Sequence, residues 1–513
     1  MFFRNDRIVL VVLLAAMLAC NLPVPAPASP IGQPTPILTT ASPPPSQTAL
    51  PASIPYQPVF EAASCAFPIP SGYNPECGYL VVPENRLNPG TRYIRLHVAI
   101  FRNRAGAAVA DPVIHLAGGP GSSSLEVAGY MLGQGLDAIL NQHDFILFDQ
   151  RGTGYSLPRL DCPERVEVTA TLLEIGLTSP GANELIVEAF RRCRERLLAE
   201  GTDLSAYNSA VSATDLNDLR VALGYEALNL YGVSYGTRLA LTFMRDYPQA
   251  VRSAVLDSTY PLEVNLYTAL APNAERAFNV FFERCTSDPG CNAAYPELGT
   301  VFYQLVDRLN AAPVTISMYA AGVERSVHLD GGLLIDVLFL GLYNPAVTAS
   351  MPEMIYDVRS ADYTLLRERL ALYFSTSSAL GMQMAVQCSE EFPFNLAEEA
   401  YTAAQNVQSQ IAAFYPASVQ PLFEACREWI SVLPDARENA PVVSDVPVLV
   451  LAGDHDPITP PDWGRVVAGQ LTRSYYYEFP GHGHWVTRSS RCALQMSLAF
   501  WRDPAADPGH VCQ

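Results

Sequence analysis

Leu228-Asn229-Leu230-Tyr231-Gly232-Val233-Ser234-Tyr235-Gly236-Thr237-Arg238 decides how this chain folds. Its first four residues read as a short buried strand, and from Arg238 to Asp246 the apolar residues recur at helical spacing. Between strand and helix, one glycine stands two residues before Ser234 and another two residues after it. A turn that tight leaves no room for side chains at those two places, and it lifts the serine at its apex clear of the backbone. That is the position a nucleophilic hydroxyl needs, with Ser234 as the candidate nucleophile.

A serine hydroxyl must pass its proton to a base. All 32 basic residues of the 513 are Arg and no Lys occurs, so a Ser-Lys dyad is excluded. So are a Schiff-base lysine, a phosphate-cradling Walker loop and a kinase-type lysine. The base is then one of eight His. His484 lies in Pro480-Gly481-His482-Gly483-His484, directly after the last apolar strand run, Tyr475 to Phe479. The chain order Ser, acid, His asks for a carboxylate at the preceding strand end. Val448-Leu449-Val450-Leu451-Ala452-Gly453-Asp454-His455-Asp456-Pro457 supplies Asp456, which would orient the imidazole and stabilise its cation. The alternatives are His482 for the base and Asp454 or Asp257 for the acid, residues that also suit loop bonding and capping. Two N-H groups should receive the oxyanion. Tyr235 follows the nucleophile, and Gly119 sits in Leu116-Ala117-Gly118-Gly119-Pro120-Gly121 after an earlier strand run.

Further apolar runs at Pro112 to Leu116, Phe145 to Phe148, Leu228 to Tyr231, Ala254 to Leu256 and Val446 to Leu451 alternate with helical patterns such as Ala213 to Leu223. Extended stretches precede them at Cys77 to Pro83 and Tyr93 to Arg102. This alternation predicts an α/β fold, a mostly parallel central sheet flanked by helices. From 262 to 434 helical patterns dominate, which predicts a large, mainly helical lid inserted between sheet strands. Residues 61–261 then form the first part of the core, and 435–513 form its C-terminal part, with the catalytic Asp and His.

Gly118-Gly119-Pro120-Gly121, Asp149-Gln150-Arg151-Gly152-Thr153-Gly154-Tyr155-Ser156, Gly232-Val233-Ser234-Tyr235-Gly236, Asp456-Pro457 and Gly483-His484 occur in the order found in α/β-hydrolases. Over about residues 75 to 500 the chain resembles the prolyl aminopeptidase and secreted tripeptidyl aminopeptidase group, with its characteristic carboxy-terminal segment. Ala117 departs from that pattern, where prolyl aminopeptidases carry His before the glycine pair. The resemblance implies an α/β-hydrolase fold and a serine hydrolase that releases short peptides or single residues from peptide amino termini. It also singles out Cys388-Ser389-Glu390-Glu391, so that Glu390 or Glu391 is expected near the substrate amine. The segment 262–434 holds 19 acidic residues and 8 Arg, which suits an ammonium-bearing substrate. Asp149 and Arg151 are expected to form a structural ion pair. The same triad serves an esterase or lipase equally well, and a surface binding protein with this fold but no turnover is a third reading.

The net charge of −19 argues against nucleic acid, whose phosphates need a basic face. No Cys-x-x-Cys or His-Cys cluster suggests a metal, and no cofactor is implied; the expected partner is a peptide substrate. Residues 1–19 read as an export signal, with Arg4 and Arg7 ahead of the apolar run Ile8 to Ala19. Met17-Leu18-Ala19-Cys20 resembles a bacterial lipobox, which makes Cys20 the lipidation candidate and a lipid anchor the only expected membrane contact. Residues 20–60 read as a Pro/Ser/Thr-rich tether with no charge. The other ten cysteines, an even number, point to disulfides in an oxidising compartment; their spacing allows five bridges between sequence neighbours, though it does not fix the pairing.

Overall fold

The predicted strand runs assemble into one nine-stranded sheet. In the computed structural model, which describes residues 56–512 apart from 89, 105–110, 178, 180, 321, 371–372, 374–377 and 430–433, the strands are β1 Val59–Ala62, β2 Glu76–Pro83, β3 Tyr93–Phe101, β4 Val113–Leu116, β5 Phe145–Phe148, β6 Leu228–Val233 and β7 Val251–Asp257, then β8 Val314–Ala320 and β9 Val323–Leu329 as a separate hairpin, then β10 Val448–Gly453 and β11 Ser474–Phe479. The order across the sheet is β1-β2-β3-β5-β4-β6-β7-β10-β11. From β5 to β11 every neighbour pair is parallel, and only β1, β2 and β3 run against their neighbours. Residues 1–19, expected to be an export signal, and Cys20 lie outside the described residues. The tether expected to reach residue 60 ends earlier: β1 pairs along the edge of β2, and the Tyr56 hydroxyl donates to Asp218 over 2.9 Å.

β4, β5, β6 and β10 are buried along their whole length, as parallel strands covered on both faces must be. Alternation within β6 separates the faces. Leu228 and Leu230 pack with the helices Ser209–Ala222 and Tyr235–Asp246, while Tyr231 and Val233 join the opposite core beneath the helix Arg491–Arg502.

The insertion between β7 and β10 is a helical unit with a hydrophobic core of its own. That core also recruits the helices Pro163–Ile175 and Ala182–Ala199, which leave the sheet after β5 and lie within residues 61–261, the stretch expected to form the first part of the sheet core. Leu172, Leu173, Ile186, Phe190 and Leu197 are apolar on a face the sheet leaves uncovered, so they bury against the insertion; the Phe190 ring meets Trp429 edge-on. The ten cysteines pair as sequence neighbours: Cys65–Cys77, Cys162–Cys193, Cys285–Cys291, Cys388–Cys426 and Cys492–Cys512. Among the described residues, no helix is long and apolar enough to cross a membrane.

Candidate active site

The loops that follow β4, β6, β10 and β11 converge at the carboxyl ends of the parallel strands, where open α/β sheets place their ligands. After β6, Ser234 adopts φ 57° and ψ −126°, a conformation that a side-chain-bearing residue holds only under constraint. The constraint is local. The Ser234 N-H donates to the Asp257 carbonyl over 3.0 Å, and both the N-H and the hydroxyl of Thr237 donate to the Ser234 carbonyl. A Cβ at Gly232 would press on the Gly236 carbonyl, and one at Gly236 would collide with that of Leu116. The two glycines therefore let β6, the helix and β4 approach one another.

His484 Nδ1 donates to Asp456 Oδ2 over 2.8 Å, which leaves Nε2 as the nitrogen available to a proton from Ser234. Asp456 is fully buried. The Thr459 hydroxyl donates to Oδ2 (2.7 Å), and the N-H groups of Ile458 (3.0 Å) and Thr459 (2.9 Å) donate to Oδ1. Burial pushes the Asp456 carboxyl up, but the imidazole and these donors outweigh it and hold it below the usual carboxylate value. Ser234 and His484 line one cavity of about 80 Å³, without a direct hydrogen bond between them. The N-H groups of Gly119 and Tyr235 donate no hydrogen bond among the described residues. Tyr235 opens its helix, so no carbonyl four residues back is placed to accept from it.

The insertion closes directly on these loops. The Tyr343 ring lies 4.9 Å from the His484 ring, and a Cβ at Gly483 would run into the Leu342 carbonyl. The Ala379 N-H donates to the Gly121 carbonyl over 3.0 Å. From the helix Leu266–Ser287, Arg276 donates to the Asp454 and Asp456 carbonyls, and Arg284 pairs with Asp454.

Residues 111–487 match the family model of the alpha/beta hydrolase fold. The chain is an α/β-hydrolase. Over 440 residues, 80% of this hydrolase and 81% of the relative, it is 26% identical to the serine protease Hip1 of Mycobacterium tuberculosis. Over 201 residues it is 32% identical to the tripeptidyl aminopeptidase of Streptomyces lividans, covering 36% and 35% of the two chains. Among solved structures, the proline iminopeptidase of Mycobacterium smegmatis is 14% identical with a TM-score of 0.39, covering 85% of this chain and 100% of that one.

The alternatives weighed for the triad are occupied elsewhere in the hydrolase. His482 Nδ1 is bonded to the Ser489 hydroxyl, Asp454 takes the Gly481 N-H and Arg284, and Asp257 takes the N-H groups of Val486 and Thr487 with the Thr487 hydroxyl. Asp257 thus anchors the turn just beyond His484.

Glu390 and Glu391 are not brought to the cavity, contrary to the expectation that one of them meets the substrate amine. Both are buried against Arg238, at 3.3 and 3.1 Å, and Glu390 also accepts from the Ser209 N-H and hydroxyl. Burial pushes the Glu391 carboxyl up, and the Arg238 charge offsets this only in part. Asp149 and Arg151 do not pair with each other. Arg151 forks onto Asp215 at 2.7 and 2.8 Å, while Asp149 accepts from the Ser123 hydroxyl and the N-H groups of Leu125 and Tyr155. Asp149 therefore braces the glycine-rich loop; burial raises its carboxyl to about 6.

Sequence reasoning missed several residues that line the cavity, among them His115, Tyr343, Trp485 and Arg488. Trp485 and Arg488 follow His484 closely enough for the loop itself to have signalled them. His115 lies two residues ahead of the glycine-rich loop, where its burial in β4 pushes the imidazole down to about 3 and keeps it neutral. Nothing local marks Tyr343, which arrives from the insertion.

Proposed function

We propose that the protein is an exported serine peptidase that releases short peptides, of tripeptidyl type, or single residues from peptide amino termini through an acyl-enzyme on Ser234. The observation that carries the reading is the His484–Asp456 pair, at 2.8 Å, with His484 lining the same cavity as Ser234. In this mechanism His484 Nε2 takes the Ser234 proton as Oγ attacks the scissile carbonyl. The N-H groups of Gly119 and Tyr235 receive the developing oxyanion, and Asp456 stabilises the imidazolium. The imidazolium then protonates the departing amine, and water, deprotonated by His484, releases the acyl group.

Kinship to the serine protease and the aminopeptidase supports peptides over other acyl donors. The insertion, which reaches the site through Tyr343 beside His484 and through the Ala379–Gly121 hydrogen bond, supports short substrates over folded protein. Five disulfides support an oxidising compartment, in agreement with the signal-like residues 1–19 and lipidation at Cys20. The test is digestion of a peptide library with mass-spectrometric readout, beside hydrolysis of tripeptidyl and aminoacyl chromogenic amides and of acyl esters of matched size. Amide cleavage near free amino termini, abolished in Ser234→Ala, supports the reading. Ester hydrolysis without amide cleavage makes the protein an esterase, and failure of a fluorophosphonate to label Ser234 in folded protein makes it a binding protein.

A further inference from the structure

Arg488 lines the cavity that holds Ser234, Gly119 and His484. It sits four residues beyond His484, in the short helix Val486–Ser489, and its N-H donates to the Trp485 carbonyl over 3.2 Å. The guanidinium is held in a fixed plane. Its Nε donates to the Tyr130 hydroxyl over 2.6 Å, and its carbon lies 4.9 Å from the Tyr130 ring centre and 5.8 Å from that of Trp485.

What it lacks is an anion. The two arginines buried deepest beside the elbow are both paired, Arg151 with Asp215 and Arg238 with Glu390 and Glu391. Arg488 forms no ion pair among the described residues, in a chain where 51 carboxylates face 32 arginines. The acid tied to the same turn, Asp257, spends its oxygens on Val486 and Thr487. Among the described residues no Asp or Glu lines the cavity, whose other walls include Val127, Val233 and Trp485. A half-buried guanidinium, whose two terminal nitrogens have no hydrogen-bond partner among the described residues, beside largely apolar walls, favours one class of guest: a carboxylate that meets it with paired, charge-assisted hydrogen bonds.

We propose that Arg488 selects substrates by a carboxylate carried close to the scissile bond. Two sources share that chemistry: an acidic side chain on the residue whose carbonyl is attacked, and the terminal carboxylate of a short leaving peptide. The proposal deepens the peptidase reading and rests on Ser234 being the nucleophile.

The experiment measures kcat/KM ratios on the full chain for three matched pairs. The first pair is peptidyl amides differing only in Glu against Gln before the scissile bond. The second is short peptides with a free against an amidated carboxyl end. The third is mono-p-nitrophenyl adipate against p-nitrophenyl hexanoate, corrected for spontaneous hydrolysis. The expected result is a preference of about tenfold or more for the charged member of the first or the second pair, which identifies the source. The ratio falls to about one in Arg488→Gln and is partly kept in Arg488→Lys. A general structural loss in the variant would lower both members alike and leave the ratio in place, and that result overturns the proposal. Amide cleavage with no charge preference in either peptide pair overturns the role of Arg488 and keeps the peptidase. A charge preference in the ester pair that Arg488→Gln abolishes, with no amide cleaved, keeps Arg488 and overturns the peptidase. Turnover of no substrate overturns both.

Discussion

Arg276 donates to the main-chain carbonyl of Asp456 over 2.5 Å and to that of Asp454 over 2.7 Å, so a helix of the insertion grips the backbone of the acid that orients His484. Insertion and triad are joined at this point. Replacing Arg276 by Met removes both donors and lets the loop after β10 relax. The expected result is a fall in kcat of up to about 10²-fold, the size of effect that a small misplacement of a catalytic group produces. Arg276→Lys should recover part of it by restoring a donor. A rise in KM with kcat unchanged would show that Arg276 does not position the acid.

Asp456→Asn presents an amide N-H to His484 Nδ1 and favours the wrong imidazole tautomer. A loss of about 10⁴ in kcat is expected, with the fold intact by circular dichroism. Asp454→Asn should lose far less, because Asp454 braces Gly481 and Arg284 and does not touch the imidazole. Comparable losses in the two variants would reopen the choice of acid.

Asp336 sits in the insertion helix Gly331–Gly341, fully buried and bonded to the Tyr373 hydroxyl; burial raises its carboxyl to about 7. The folded protein therefore holds a proton there that the unfolded chain has released. Stability contributed by this group is present below about pH 4 and declines as pH rises toward 7, with no further change beyond. Asp336→Asn cannot ionise, so its melting temperature relative to that of the wild type should improve between pH 4 and pH 8. Parallel melting curves across that range would show that Asp336 titrates normally.

Glu390→Gln and Glu391→Gln each remove one charge facing buried Arg238. Breaking a buried pair from one side costs about 3 kcal/mol, read by urea denaturation. The ratio of free-amine to amine-blocked substrate cleaved should stay at its wild-type value, since neither carboxylate lines the cavity. A shift in that ratio at preserved stability would return these residues to the substrate site.

Replacing Cys388 and Cys426 together by Ser opens a loop of sequence separation 38. The chain-entropy model puts the loss at about 4 kcal/mol, and comparison of denaturation midpoints measures it. A much smaller loss would mean that packing of the insertion core already restrains those two helices.

The nucleophile elbow was legible because its requirement is local. A strand cannot turn into a helix within so few residues unless Gly232 and Gly236 surrender their side chains, and that shows in the string itself. The sheet was legible for a similar reason, since a parallel strand buried on both faces must be a short, unbroken apolar run. Asp456 and His484 followed from chain order at the ends of two such runs, and the structure joins them at 2.8 Å. The disulfides were half legible: an even count announced them, and only the fold paired them.

Partners of charged groups were not legible. Sequence gives the sign of a charge and not what lies across from it, so Asp149 and Arg151, two residues apart and opposite in charge, read as a pair. In the fold Arg151 reaches Asp215, 64 residues away, and Asp149 turns to the glycine-rich loop. Glu390 and Glu391 read as substrate contacts for the same reason, until Arg238 took them inward. Sheet, elbow and the order of the candidate triad could be read from the residues alone, because each is set by sterics or burial over a short stretch. Which acids are neutralised, which helices pack with the insertion and which arginine lines the cavity emerged with the folded chain, because those depend on what distant segments bring together.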